Sequence, residues 1–265
     1  MSSKLNKEQR ALVSSFIRVT NAKQKDAIAC LKGAVWNLEP AINSYYSKNG
    51  AGATHSKPSK ALHDLYLKYE DKERGKIMAD GIISFCEDIG VSPEDVVMFV
   101  ICWYMDAKTM GEFTQEEFEG GLEEMEIDTV FSPIASLKMK IPTLRKDLDV
   151  PETFKQIYEY AFGFSCEENQ KCLQLDVATS IWPLLITKKK WKYIDEWCAF
   201  LQEHHKRAVS RDTWIQLLVF VNTVGQDFKK YDPNSAWPYL IDVFVEHVEE
   251  NSCACLGSSL RRGGE

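Results

Sequence analysis

"DAKTMGEFTQEE", residues 106–117, decides how the middle of this chain folds. An acidic residue opens it, glycine stands at position six, Phe113 at eight and Glu117 at twelve. That is the outline of a helix–loop–helix calcium hand, which takes oxygen ligands at one, three, five and twelve. Positions three and five here are Lys108 and Met110. A lysine in the ligand ring repels the cation, so this reads as a hand-like scaffold, with no metal and no cofactor expected. A second outline lies upstream in "YEDKERGKIMADGIISFCEDI", residues 69–89. Counted from Asp71, it offers Glu73 at three, but Gly75 falls at five and Ile82 at twelve. A paired scaffold of this kind still places helices around both loops and leaves a hydrophobic groove. Between the loops, "VVMFVICWYM" (96–105) supplies Met98, Ile101, Cys102 and Met105 for that groove, with Ile82 and Phe113 nearby in sequence. Periodicity alone does not separate such a groove from plain core.

Outward from the hands, helical periodicity runs from about Lys60 to about Glu250, and strand patterns are nearly missing beyond short pairs in loops. Pro93, Pro133, Pro142, Pro151 and Pro238 punctuate it as helix starts or loops. The first 48 residues read as three short helices. Leu12, Phe16 and Val19 share a face of the first. Asn21 and Gln24 resemble a capping box before the second, whose Ala27, Cys30 and Leu31 turn inward. Asn37 caps the third, with Leu38, Ile42 and Tyr45 apolar. Residues 49–59, "NGAGATHSKPS", read as a flexible linker rich in Gly, Ser, Lys and Pro. Residues 251–265 lose periodicity and are expected to be disordered. Their "LRRGG" resembles the end of a ubiquitin-like modifier, but a helix rather than a compact β-rich domain precedes it. The expected fold is all-α: an N-terminal three-helix bundle (1–48), a linker (49–59), a larger helical domain (60–250) and a tail (251–265).

Composition narrows the function. The net charge is −7, with a pI near 5.4. That argues against nucleic acid and anionic membranes as partners and toward basic ones. No apolar run is long enough to span a bilayer, and no signal peptide opens the chain. The 8 cysteines include no CxxC pair, so a zinc site is not expected and the thiols read as free and inert in a reducing, intracellular compartment.

"YDPNSAWPYLIDVFVEHV", residues 231–248, carries an apparent contradiction, an aspartate inside an apolar run. At about 100° per residue, Trp237, Leu240, Ile241, Phe244, Val245 and Val248 gather on one side. Ala236, Tyr239, Asp242, Val243 and Glu246 gather on the other, so Asp242 is expected to face outward, with Pro238 in the first helical turn.

Together, "DAIACL" with "WNLEPAINSYY", the linker, the hands, "LQEHHKRAVSRDTWIQLLVF" (201–220) and "YDPNSAWPYLIDVFVE" (231–246) resemble the defective-in-cullin-neddylation (Dcn-like) family. The resemblance implies a ubiquitin-associated (UBA-like) domain before a helical potentiating-neddylation (PONY, DCUN1) domain. It implies a scaffold-type ligase component with no catalytic residue of its own, acting in the cytoplasm and nucleus. Such a component promotes transfer of a Nedd/Rub-type modifier from its conjugating enzyme to a cullin lysine. The family's acidic patch for the cullin C-terminal domain corresponds to Asp212, Ala236 and Asp242. Its pocket for the N-acetylated terminus of the conjugating enzyme corresponds to Ile82, Met98, Ile101, Cys102, Met105, Ala107, Phe113, Phe164 and Leu184. Gly111 replaces a cysteine of animal relatives, and Ile181 an aromatic residue. The loop "VTNAKQ" (19–24) lacks the Met-Gly-aromatic signature with which most UBA-type domains contact ubiquitin. Ubiquitin or the ubiquitin-like modifier is a further partner the N-terminal domain implies. The competing readings are a ubiquitin receptor acting through that domain, a calcium sensor and a cysteine-dependent transferase.

Overall fold

The computed structural model describes residues 7–20, 22, 24–48, 60–127, 129, 132–167 and 169–259. The chain divides into two compact units, Met1–Pro58 and Ser59–Glu265. The linker expected at 49–59 and the final residues 260–265, with "LRRGG", lie outside the described residues.

In the first unit, α1 (Lys7–Thr20), α2 (Gln24–Gly33) and α3 (Leu38–Lys48) close on a small core of Val13, Phe16, Ala22, Ala27, Leu31 and Ala41. Phe16 is fully buried and meets Tyr45 edge-on at 5.6 Å. Val19, expected on the same face, is 54% exposed, and Val13 takes its place one turn before Phe16. The Thr20 hydroxyl turns back to the Phe16 carbonyl at 2.7 Å and closes α1. Asn37 starts α3 through its backbone carbonyl, which accepts from Ala41 N–H at 3.2 Å. Asn21 of the expected capping box is outside the described residues.

The second unit opens with the paired hands. α4 (Lys60–Tyr69) and α5 (Ala79–Ile89) flank a loop with a two-residue ladder, β1 (Glu70–Asp71) against β2 (Lys76–Ile77). α6 (Val97–Tyr104) and α7 (Gln115–Glu124) flank the loop containing residues 106–114. Ile77 and Phe113 join the loops by reciprocal N–H···O bonds of 2.9 Å. This bridge corrects the register of the first loop. Phe113 is position eight of its loop, so its partner Ile77 is position eight too, and the first loop starts at Glu70 rather than Asp71. Gly75 then falls at six, matching Gly111. Both adopt positive φ (63° and 86°), where a side chain would be strained. Position twelve becomes Gly81, where an added Cβ would run into the Tyr69 carbonyl oxygen.

The bridge recurs in a second half that periodicity did not separate. α8 (Pro133–Lys146) leads through a 3₁₀ turn (Asp147–Asp149) to α9 (Pro151–Ser165). The strand β3 (Cys172–Leu173) precedes α10 (Leu175–Leu185). α11 (Ile194–Phe200) ends in a π-helical turn (Leu201–His205), followed by β4 (Val209–Ser210) and α12 (Arg211–Thr223). β3 and β4 pair antiparallel with Leu173 opposite Val209, so two more helix–loop–helix units share a bridge. Pro133 and Pro151 start helices as expected, whereas Pro142 lies inside α8, between buried Ile141 and Leu144. The core here is aromatic. Trp214 stacks on Tyr158 at 4.8 Å and on Trp182 at 4.9 Å. Trp182 Nε1 donates to the Tyr158 hydroxyl, which donates to the Trp214 carbonyl, and Trp214 Nε1 donates to the Tyr158 carbonyl. Three large rings are thereby buried with their polar atoms satisfied.

α13 (Tyr239–Ser259) closes the unit. Ile241, Phe244, Val245 and Val248 are buried, as the wheel required. Two expectations change. Pro238 stands just ahead of the helix, its carbonyl accepting from Ile241 N–H at 2.8 Å, so Ala236 belongs to an irregular lead-in, turned by the Trp237 N–H to Ser235 carbonyl bond at 2.9 Å, rather than a helical face. The helix also continues past the expected start of the tail, through Ser259. Once the buried first turns fix the nucleus, each further residue adds a hydrogen bond without a new nucleation cost.

Candidate functional site

Between α5, α6 and α10 lies a cavity of about 630 Å³. Its wall includes Ile82, Met98, Cys102, Phe113, Phe164 and Leu184, six of the nine residues expected there. Ile101, Met105 and Ala107 are not among its lining residues: they are 0%, 2% and 1% exposed, in the core. α6 is apolar all round, so one face floors the cavity while the other packs inward. Met105 lies against α7 where Gly121 leaves room, and a Cβ there would stand 2.5 Å from the Met105 Cα. Ala107 acts through its backbone. Its carbonyl and that of Cys102 both accept from the Tyr160 hydroxyl, at 2.7 and 3.0 Å, tying the second hand to α9. Tyr160 stacks on Phe164 at 5.3 Å, and Phe99 meets Phe164 edge-on at 6.4 Å, which fixes the aromatic wall.

Sequence reasoning named Leu184 but missed its two companions at the mouth, Ile83 and Met110. Ile83, Met110 and Leu184, each 38–50% exposed, line the same cavity, although large apolar side chains seldom gather in water without a partner. Ile83 was legible as the neighbour of Ile82. Met110 is the residue that spoiled loop position five. Gly111 and Ile181 also line the cavity. Asp95 shapes one edge: Arg145 forks onto its two oxygens at 2.8 and 2.6 Å, and Val97 N–H adds a third bond. The Arg145 hydrogen bonds hold this carboxyl below the usual carboxylate range.

The hand loops are occupied by their own chain. The Glu117 carboxylate, at the position a calcium ion would require, accepts from Lys108 N–H (2.9 Å), Thr114 N–H (2.8 Å) and the Thr114 hydroxyl (2.9 Å). The Lys108 ammonium pairs with Asp106 at 2.5 Å. Among the described residues no cluster of three or more His, Cys, Asp or Glu could hold a metal ion. The buried cysteines are poor nucleophiles. Burial pushes the thiols of Cys86 and Cys198 up, to about 11 and about 12, and Cys102 higher still.

The acidic candidates lie at two helix starts. Asp212 is exposed in the first turn of α12, beyond the N-cap Ser210, whose hydroxyl accepts from Thr213 N–H at 3.1 Å. Ala236 is exposed on the lead-in to α13, and Asp242 is half-buried in its first turn. Carboxylates suit these positions because the unpaired N–H groups there are electropositive. Phe220, eight residues beyond Asp212 and about 12 Å along α12, packs on Trp237 at 5.4 Å. The bare carboxylate expected at Asp242 is partly engaged: its Oδ1 accepts from the Tyr231 hydroxyl at 2.7 Å. Burial first, then that hydrogen bond and the charges of Asp242, Glu246 and Glu249, push the Tyr231 phenol well above its ordinary value. The three carboxylates recur at i, i+4 and i+7, one acidic stripe of α13.

A family profile described as "Cullin binding" matches residues 136–247, and one described as "UBA-like domain" matches residues 10–52. DCN1-like protein 5 of Bos taurus is 37% identical over 84% of this chain and 94% of its own length. DCN1-like protein 3 of Xenopus laevis is 31% identical over 92% of this chain and 82% of its own. DCN1-like protein 4 of Drosophila melanogaster is 38% identical over 63% of this chain and 65% of its own. The chain therefore spans between about two thirds and nearly all of these relatives. Among the described residues no helix is long and apolar enough to cross a membrane.

Proposed function

The chain belongs to the DCN1-like family, and from that premise we propose that it is a non-catalytic scaffold that binds a cullin and promotes its neddylation. The acidic residues Asp212 and Asp242, with Ala236 between them in sequence, meet a basic surface of the cullin C-terminal domain. The cavity receives the N-acetylated terminus of the Nedd/Rub-type conjugating enzyme. The observation that carries the reading is the cavity itself: about 630 Å³, apolar-walled, with three exposed apolar side chains at its mouth. Burying a methionine-sized side chain there contributes roughly 1.5–3 kcal/mol. Acetylation removes the ammonium whose desolvation would oppose entry.

No residue of the chain needs to make or break a bond. The conjugating enzyme's thioester is the reactive group, and holding it near the target lysine lowers the barrier by several kcal/mol in order of magnitude. The engaged Glu117 weighs against the calcium-sensor reading, and the protonated buried thiols against the transferase reading. Reconstituted cullin modification at limiting conjugating enzyme is the test. The protein should accelerate it, and a terminal peptide of that enzyme should bind at least about tenfold tighter when acetylated. Equal affinities by calorimetry would refute the pocket assignment. A ubiquitin-receptor role has one observation in its favour, the UBA-like match at residues 10–52. Cullin capture that requires the first unit, with residues 60–250 inactive, would favour it.

A further inference from the structure

We infer that the first turn of α13 is a receiving site for one cationic side chain of the partner. Its parts are the ring of Tyr239 and the carboxylate of Asp242, with Tyr231 as the positioning residue. The inference rests on the cullin-facing reading above and extends it to residues that reading does not use.

Tyr239 is 77% exposed, an aromatic ring left in water at the start of a helix whose opposite side is core. Asp242 follows three residues later, so the two side chains neighbour each other on one face. A ring face attracts a cation within about 6 Å of its centroid, and a carboxylate beside it supplies the opposite charge. Asp242 is not a floppy surface acid. The Tyr231 hydroxyl holds its Oδ1 at 2.7 Å, while Oδ2 has no hydrogen-bond partner among the described residues. The Tyr231 ring packs on Phe220 at 6.3 Å, so its hydroxyl is delivered by a braced loop. With its phenol shifted upward, Tyr231 keeps its proton at neutral pH and always donates. A helix start repels cations, yet Asp242 and exposed Glu246, one turn further on, reverse the local sign. Ala236 ahead of the turn is small enough for a partner backbone to come close.

The test measures affinity of the full chain for a cullin C-terminal domain, with thermal unfolding of every variant. Tyr239→Phe keeps the ring and should bind within about twofold of wild type. Tyr239→Ala should weaken binding about two- to fivefold without changing the unfolding midpoint. Tyr231→Phe should weaken binding when Asp242 is present and have no further effect on an Asp242→Asn background. That coupling would not arise from general loosening of the loop. If Tyr239→Ala binds as wild type, or the Tyr231 and Asp242 changes simply add, the inference fails while the cullin reading stands. If Asp242→Lys also binds as wild type, the assignment of Asp242 to the cullin-facing surface fails as well, while cullin binding by other residues stands.

Discussion

At Asp242, one substitution removes two things, because the carboxylate both faces the proposed partner and accepts the Tyr231 hydroxyl. Asp242→Lys should cost about 1 kcal/mol of stability through the lost bond. It should weaken cullin binding far more, by replacing attraction with like-charge repulsion. Asp212→Lys should weaken binding with nearly unchanged stability, since Asp212 is exposed and has no such bond among the described residues. Thermal unfolding beside a cullin-binding assay separates the effects, and wild-type affinity in Asp242→Lys would return that residue to an ordinary surface acid. In the cavity, Phe164 is only 8% exposed and braced by Tyr160 and Phe99, so Phe164→Ala should destabilise by about 3 kcal/mol as well as weaken the peptide. Leu184→Ala, at the mouth, should weaken peptide binding with little loss of stability, and is the cleaner probe. Asp95 adds a pH dependence. Its folded pKa is depressed, so the Arg145 pair stabilises the fold above the unfolded carboxylate range near pH 4. That contribution is lost as pH falls through the lower folded value. Arg145→Leu should therefore lower stability at pH 7 and flatten the acid limb of an unfolding-versus-pH curve; an unchanged limb would mean the fork contributes nothing.

At the scale of the element, the hands retain the geometry of a calcium loop without its chemistry. The glycines at position six and the Ile77–Phe113 bridge preserve the turn and the pairing, while Glu117 is spent on the amides and hydroxyl of its own loop. Titration with calcium should give no binding heat and no change in unfolding midpoint. Glu117→Ala should cost about 1–2 kcal/mol by removing the capping box at α7, with no metal present in either protein. The sequence placed the second loop correctly because Phe113 and Glu117 both fit one register. It misplaced the first by one residue because Asp71 offered a more plausible ligand than Glu70. Gly75 at position six already favoured the count from Glu70, and the long-range cross-loop hydrogen bonds decide it. The second bridge, Leu173 with Val209, was invisible for the same reason: two residues give no period, and their partners are 36 positions apart.

Over the whole molecule, the division at Pro58–Ser59 leaves both proposed surfaces in the second unit. Residues 60–250 should therefore fold cooperatively and stimulate cullin modification without the first unit. Cutting at Glu250 removes the last turns of α13 but keeps Val248, so unfolding midpoints of 60–250 and 60–259 should lie close together. A folded but inactive 60–250 would overturn the assignment of both sites. What the sequence by itself determined is the helical class, the scaffold-like hands, the inward face of α13 and the family, because these follow from local periodicity, turn residues and contiguous motifs. What only the tertiary structure decided is which apolar residues face a cavity and which face the core. Ile101 and Cys102 are adjacent on one apolar helix, yet only Cys102 reaches the cavity wall. The same holds for Tyr231 and Asp242, eleven residues apart and joined by one hydrogen bond. Burial against a distant partner carries no local signature, since the chain codes for the apolar face but the packing of other elements selects what that face meets.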